Sequence, residues 1–441
     1  VMVTAPLVAL LFDRVFLASS WRELVRARAP LHAGLALAWL VLAASGLAGM
    51  LVGGAECTPA TIGFGMADVT AREYALTQPE VVLHYLRLAL WPQPLVLDYG
   101  WPFVGSTREA LLPALVLALL LGACLHALLR GRAAGFLGLW FFVILAPTSS
   151  FVPVRDAAFE QRMYLLLAAV IGAVVLGVHA LFARAPRGAR WAPALVALSA
   201  CALGARTWAR NQDYAEPIAL WRGTLRDAPD NGRATTSLAE LLMQAGQDDE
   251  ALAVLERGVR RLEAQSTAAS RVYRAAAHDS WGKLLRRLGR TSEALAHHQL
   301  AAQLWPMAET HVNWGSALRS LGQYEAALAQ YQEALRLAPA TPELHNNLAW
   351  LLATCPEASF RDGPRALELA SAAARATGHA QPGVLDTLAA ACAEVGDFEQ
   401  ARRWQQRALE LAPEAEQASY AAHLERYRAD QPLRDGPGLA R

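Results

Sequence analysis

The densest concentration of chemically capable side chains lies in TSSFVPVRDAAFEQRMYL, where Arg155, Asp156, Glu160, Arg162 and Tyr164 fall within ten residues just before an apolar run. Two guanidinium groups at that spacing can grip a phosphate through forked hydrogen bonds, which an ammonium cannot offer. The carboxylates beside them can orient the arginines, bind an acceptor hydroxyl or take up a proton. The competing reading is a set of local arginine–carboxylate pairs that anchors the next helix, because such pairs are common at loops. A second group, Arg87 and Asp98 with His84, Tyr85, Tyr99 and Trp101, occupies one earlier segment. Snorkelling of its long stem accounts for Arg87 without chemistry. No Walker loop, dinucleotide fingerprint or nucleophile–base–acid motif is present. Cys57, Cys124, Cys201, Cys355 and Cys392 form no CxxC pair, so neither a zinc site nor a dense disulfide framework is indicated; no cofactor is evident, and the need for a divalent metal is left open.

The elements that must position these groups differ between the two halves of the chain. Of 441 residues, 54% are hydrophobic and 18% charged, which excludes a disordered chain. Residues 1–210 carry 16 arginines against 10 acids and the remainder 24 basic against 29 acidic residues, so a formal net charge of +1 hides two unlike bodies. Neither is basic enough to suggest nucleic acid as a partner. The excess of Arg, with Lys283 the sole lysine, and the abundance of Ala and Leu suit a GC-rich bacterial gene.

A membrane span needs roughly 20 mostly apolar residues. Residues 31–52, 110–129, 133–152, 163–183 and 191–207 approach or meet that length, and residues 1–18 form a sixth run interrupted by Asp13 and Arg14. The run opens at Val1 in mid-stretch with no cationic leader, so upstream sequence is expected to precede it. Arginine placement sets the topology. Arg22, Arg26 and Arg28, then Arg130 and Arg132, then Arg184, Arg187 and Arg190 mark inner loops, while the acid-rich connections 53–80, 98–109 and 153–162 belong outside. Residues 81–97 then lie on the outer surface as an amphipathic helix stopped by Pro92 and Pro94, with Tyr85, Trp91, Tyr99 and Trp101 as an aromatic belt. Everything after residue 208 is expected outside the cytoplasm.

Residues 308–341 read AETHVNWGSALRSLGQYEAALAQYQEALRLAPAT, a 34-residue helix–turn–helix unit. Gly315 permits close packing, Gly322 ends the first helix, Ala327 and Tyr331 lie on the second, and Pro339 closes the unit. The pattern recurs around Leu238, Ala239, Gly246 and Ala251; around Trp281, Gly282, Gly289, Ala294, His298 and Ala301; and around Leu388, Ala389, Gly396 and Ala401. A fifth unit from Pro342 is stretched by Cys355-Pro356-Glu357, and residues 215–229 read as a lone opening helix. This resembles the tetratricopeptide repeat (TPR). The expected organisation is all-α: 1–210 a polytopic transmembrane bundle with outer loops, 211–413 a TPR solenoid, and 414–441 a cap helix with a disordered tail after Asp430. Ser237, Ser280, Asn313, Asn347 and Thr387, each two residues before a packing Ala or Gly, are polar in all five units and are candidates to bind an extended peptide. The competing reading is that polar residues on a solvated face require no partner. His297, His298, His311 and His345 are expected to be surface or packing residues rather than metal ligands.

The order of features, from LHYLRLALWPQPLVLDYGWP through LWFFVILAPTSSFVPVRDAAFEQRMYL to TWARNQDYAEPIALWRGTLRDAPDN and the repeats, resembles bacterial relatives of the transmembrane and TPR-containing protein O-mannosyltransferases, of the GT-C class. In the membrane half the likeness rests on Glu160, Arg162, Tyr164 and Leu165, with Leu166 where the family pattern has proline. The resemblance implies transfer of a sugar, mannose in the best-known members, from a polyprenyl-phosphate donor to a Ser or Thr hydroxyl outside the cytoplasm. Its catalytic acids usually sit on the first outer loop, which is expected upstream of Val1, so no catalytic base is assigned. The two functions to weigh are therefore a bacterial inner-membrane glycosyltransferase whose periplasmic repeats bind the protein acceptor, and a non-catalytic membrane-anchored scaffold for envelope proteins.

Overall fold

The computed structural model describes residues 4–18, 20–44, 69–149, 152–154, 156–159, 162–184, 192–265 and 268–435. Among them the regular elements are helical and there is no strand. The chain divides into two compact units, Val1–Leu238 and Ala239–Arg441, a division 28 residues beyond the one expected at 210.

In the first unit, α1 (Ala5–Phe12) runs into a π turn over Asp13–Leu17, where the apolar run breaks. The buried Asp13 carboxylate pairs with Arg28 at 3.2 Å and His32 at 3.1 Å, both on α2 (Trp21–Ala44). Arg22, Arg26 and Arg28 thus lie on a helix, not on a loop. Residues 45–52 of the expected span, the loop to 68 and Cys57 lie outside the described residues, as do Arg187 and Arg190.

Helix α3 (Ala71–Leu90), expected to lie on the outer surface from residue 81, begins ten residues before that start. Its signal is a capping box, with the Thr70 hydroxyl accepting from the Glu73 amide and the Glu73 carboxylate accepting from Thr70. The same bonds hold the Glu73 carboxyl below its ordinary range. The helix stops at Trp91, just before Pro92.

Helix α4 (Thr107–Leu129) and residues Met163–Ala180 of α6 (Met163–Arg184) are the two helices long and apolar enough to cross a membrane among the described residues. Between them α5 (Ala133–Leu145) has 13 residues, not the expected span of 133–152. At 1.5 Å per residue it reaches about 20 Å, short of a hydrocarbon core of about 30 Å. Its end is set by a turn in which the Thr148 and Ser149 amides both return to the Leu145 carbonyl. α5 packs on both neighbours. A Cβ at Gly135 would come within 2.2 Å of the Leu128 backbone, so the crossing with α4 requires glycine there. Among the described residues, two long apolar helices and one short one stand where six spans were expected. Helix α7 (Ala192–Asp213) runs six residues past the expected span end, and α8 (Pro217–Asp227) is the expected lone helix.

Helix α9 (Gly232–Gln244) contains the division between the units. The second unit continues as antiparallel pairs: α10 (Asp248–Glu263), α11 (Ala268–Arg287) with α12 (Thr291–Leu304), α13 (Ala308–Ser320) with α14 (Tyr324–Leu337), α15 (Pro342–Thr354) with α16 (Gly363–Ala376), and α17 (Pro382–Glu394) with α18 (Phe398–Leu411), closed by α19 (Glu414–Arg428). The repeat pattern explains this packing. Ala251, Ala294, Ala327, Ala366 and Ala401 on the second helices and Ala239, Ala349 and Ala389 on the first are fully buried. Gly322 and Gly396 turn the chain at φ +74° and +85°, the left-handed region that suits glycine. A Cβ at Gly315 would meet the Tyr331 ring at 2.8 Å. The stretched fifth unit accommodates its insertion as a 3₁₀ turn over Ala358–Phe360.

Candidate functional site

Arg162 sits just before α6, and its guanidinium is turned into the loop that precedes it. Nη1 donates to the carbonyls of Thr148 (3.2 Å) and Ala157 (3.0 Å), and Nη2 to that of Asp156 (2.8 Å). Tyr74 and Tyr85, buried on α3, complete the staple: the Tyr74 hydroxyl donates to the Thr148 carbonyl, and the Tyr85 hydroxyl accepts from the Phe159 amide at 2.7 Å. Burial raises both phenols, against the opposing pull of the Arg162 charge. Thr148, Asp156, Phe159 and Arg162 border a cavity of about 370 Å³. Arg162 thus holds this loop with three of its five N–H donors.

Asp98 and Asp156, 58 residues apart in sequence, meet at Arg233, which reading the sequence did not single out. Arg233 Nη1 lies 3.2 Å from Asp98 Oδ2 and Nη2 lies 3.0 Å from Asp156 Oδ1. Asp98 is buried, and its other oxygen accepts from the Gly100 amide at 2.8 Å. Asn231 donates to the Asp98 carbonyl at 2.7 Å while its own carbonyl oxygen caps α9 through the Ala234 amide at 2.9 Å. Gly100 has φ +53° and faces Asn231 so closely that a Cβ would lie 3.0 Å from it. Nothing local to Arg233 announces this role, since its partners lie on distant loops. His84, stacked edge-on against Tyr99 and Trp101 at 4.8 Å each, is pushed down to about 4 by burial and by Arg87.

Other candidates are not gathered here. Tyr164 is 77% exposed on α6. Arg155 and Glu160 lie outside the described residues. Arg87 donates to the Gln93 carbonyl at 3.2 Å and borders a separate cavity of about 1060 Å³.

On the solenoid, two of the five peptide-binding candidates are sealed. Ser280 is buried, and Thr387 is wholly buried with its hydroxyl donating to the Gly383 carbonyl at 3.0 Å. The register two residues before the packing Ala or Gly thus faces the neighbouring helix in these units. Asn313 is partly buried and donates to Asp279 of the preceding repeat at 2.8 Å; that carboxylate also holds the buried His298 at 2.9 Å. Ser237 and Asn347 are partly exposed. His297 packs against His278 with 3.1 Å between their Nδ1 atoms, and His311 against Gln330 at 2.8 Å, while His345 is partly exposed. No group of three or more His, Cys, Asp or Glu able to hold a metal occurs among the described residues.

The tail after Asp430, expected to be disordered, is instead seated on the solenoid through Asp435. Gln431 returns its amide to the Arg426 carbonyl at 2.9 Å, and Leu433 is buried in the core. Arg434 reaches Glu394 at 2.7 Å. The Asp435 amide donates to the Thr354 carbonyl at 2.8 Å, and its carboxylate receives the Trp350 indole N–H at 2.6 Å and an ion pair from Arg319. This strap crosses the C-terminal ends of three successive first helices, α17, α15 and α13. Sequence periodicity could not find it, because its order comes wholly from tertiary partners.

The family model described as "Tetratricopeptide repeat" matches residues 209–273, and that described as "TPR repeat" matches residues 315–353. The repeats are therefore TPRs, modules that bind protein or peptide partners. No curated protein matches the chain. Among solved structures, "YrrB: a TPR protein with an unusual peptide-binding site" is 18% identical with TM-score 0.33, covering 46% of this chain and 97% of its own. Pseudomonas aeruginosa pilF is 16% identical with TM-score 0.36, covering 45% and 97%. PilW, a "widely conserved type IV pilus biogenesis factor", is 19% identical with TM-score 0.38, covering 50% and 93%.

Proposed function

We propose that the chain is a membrane-attached TPR scaffold whose solenoid binds extended segments of protein. The supporting observation is the strap: the solenoid already holds a short extended stretch by a buried leucine, a backbone hydrogen bond and a carboxylate received by Arg319 and Trp350. In recognition of an extended chain, main-chain bonds supply affinity and side-chain pockets specificity, and the strap uses both. Membrane attachment is supported by α4, whose Leu111 and Leu112 are about 70% exposed, unlike the core helix of a soluble protein.

The test is a titration of the full chain carrying Asp435→Asn with a labelled peptide of sequence ADQPLRD. A tethered segment has an effective concentration of about 1 mM, so a peptide binding the emptied surface at about 100 µM should bind the wild type roughly tenfold more weakly. Absence of saturable binding to either protein refutes the reading. A periplasm-only reporter fused after Arg441 tests the inner-membrane location with extracytoplasmic repeats; a cytoplasmic signal refutes it.

A second reading, transfer of sugar from a polyprenyl-phosphate donor to Ser or Thr, is favoured by the meeting of Asp98 and Asp156 at Arg233. The chain together with any upstream sequence, supplied with polyprenyl-phosphate mannose and a Ser/Thr peptide, should then glycosylate the peptide, and Asp98→Asn should abolish transfer. No transfer to any acceptor leaves the scaffold alone.

A further inference from the structure

Arg286 and Arg319 occupy the same rung of successive repeats, each four residues after the glycine that meets its second helix, Gly282 and Gly315. Their surroundings differ. Arg319, on α13, is paired with the Asp435 carboxylate of the strap. Arg286, in the last turn of α11, is partly buried with its Nε sealed from solvent, and it has no hydrogen bond or ion pair among the described residues. The other cations around it are answered: Lys283 by Glu309 and Asp279, Arg287 by Asp248, and Arg290 by Glu293. Burial lowers the Arg286 pKa from its ordinary value, and the charge of Arg319 acts in the same direction. A guanidinium that gives up water without a partner carries a desolvation cost, which an incoming carboxylate offsets through charge-assisted hydrogen bonds.

The strap sets the direction of approach. It passes from α17 to α15 to α13, giving Arg434 to Glu394, the Asp435 amide to Thr354 and the Asp435 carboxylate to Trp350 and Arg319. The next first helix, packed against α13, is α11. Packed helices stand about 8–10 Å apart. A chain in the polyproline conformation advances about 3.1 Å per residue with three residues per turn, so a side chain three residues beyond an aspartate at Arg319 returns to the same face about 9 Å further on, the spacing of the next rung. In this sequence the residue three beyond Asp435 is Gly438, and the stretch 436–441, GPGLAR, contains no acidic residue. The chain's own sequence thus offers a carboxylate side chain to Arg319 and none to Arg286.

We infer that the partner of the solenoid is an acidic extended segment with two carboxylates three residues apart, the first taking the place of Asp435 at Arg319 and the second received by Arg286. This rests on the reading of the solenoid as a binder of extended segments and adds the charge pattern of the segment it selects. Such a partner displaces the strap at the shared rung because it engages one rung more.

The test titrates the full chain carrying Asp435→Asn with two labelled, C-terminally amidated peptides, ADQPLRDGPELA and ADQPLRDGPQLA, which differ only in the charge three residues after the aspartate. The glutamate peptide is expected to bind about tenfold more tightly than the glutamine peptide, because hydrogen bonds to a charged acceptor are the stronger, and the preference should shrink as salt rises. Adding Arg286→Gln should bring the two peptides to equal affinity. Arg286→Lys, which keeps the charge and loses the fork, should retain part of the preference, and Arg290→Gln, whose partner is Glu293, should leave it whole. Equal affinity of the two peptides for the protein with Arg286 intact overturns the inference while leaving the binding of extended segments in place, and that comparison needs no change at Arg286. A preference that survives Arg286→Gln overturns the assignment of the second carboxylate to Arg286. Absence of saturable binding by either peptide overturns this inference together with the reading on which it rests.

Discussion

Asp435→Asn isolates the electrostatic part of strap docking, because the amide keeps the volume of the carboxylate and deletes only its charge. In the folded chain that carboxylate receives the Trp350 indole at 2.6 Å and the Arg319 guanidinium, with its side chain 9% exposed. Hydrogen bonds to charged groups contribute about 1.5–3 kcal/mol against about 0.5–1.5 for neutral ones, so the exchange should cost docking about 2 kcal/mol. At about 1.4 kcal/mol per decade, that lowers the docking constant roughly thirtyfold, from about 10 to about 0.3, so the undocked population rises about eightfold. Hydrogen exchange read on a C-terminal peptide reports it directly, since the Asp435 amide is protected by the Thr354 carbonyl. Exchange should quicken about eightfold there while α15 and α17 keep their protection. Arg319→Gln should give a similar change, and the two together less than the sum, because both remove the same pair. Unchanged exchange, or equal acceleration across the whole solenoid, refutes the reasoning.

Gly315→Ala forces a methyl to within 2.8 Å of the Tyr331 ring and should destabilise the solenoid by about 1–3 kcal/mol, read as a lower urea midpoint with unchanged slope. His278 is pushed down to about 4, first by burial and then by the neighbouring His297 and Arg274 charges. The unfolded chain takes up a proton near pH 6.5 that the folded chain refuses, so this site makes stability fall as pH drops from about 6.5 towards 4, and His278→Gln should flatten that slope in urea titrations at stepped pH. Arg162→Ala removes the guanidinium from three carbonyls, and a cysteine placed at Ala157 should then become markedly more reactive to a water-soluble maleimide. Unaltered labelling would show that Tyr74 and Tyr85 suffice to hold the loop.

The solenoid was largely legible because its signals are local and repeated. Gly322 must turn, Gly315 must let Tyr331 approach, and Ala327 must vanish into a helix crossing, and each constraint recurs at a fixed period. The first unit was legible mainly as apolar length. Arginine counting misplaced Arg22, Arg26 and Arg28 on a loop because helices tolerate arginine well, and the span over 133–152 failed because the turn after Leu145 is set by backbone bonds rather than by hydropathy. The Thr70–Glu73 capping box was readable and would have moved the start of α3 to Ala71. Of the candidate site, Asp98 and Asp156 were found by residue type, but Arg233 was not, since three-dimensional neighbours far apart in sequence leave no pattern. Ser280 and Thr387 are buried although polar; for Thr387 the hydroxyl is satisfied by the Gly383 carbonyl of its own helix, which sequence polarity does not reveal.

Lys283 is the sole lysine in 441 residues, and its ammonium is held 2.7 Å from Glu309 and 3.5 Å from Asp279. Those carboxylates outweigh the cost of burial and raise its pKa, which leaves little of the free amine that acylating reagents attack. Besides the α-amino group, an amine-directed ester therefore has one side-chain lysine to attack, and that lysine is shielded while neighbouring repeats stay in register. Loosening of the stack would show as a rise in the acylation rate at that single position, giving a chemical gauge of solenoid integrity that needs no engineered tag.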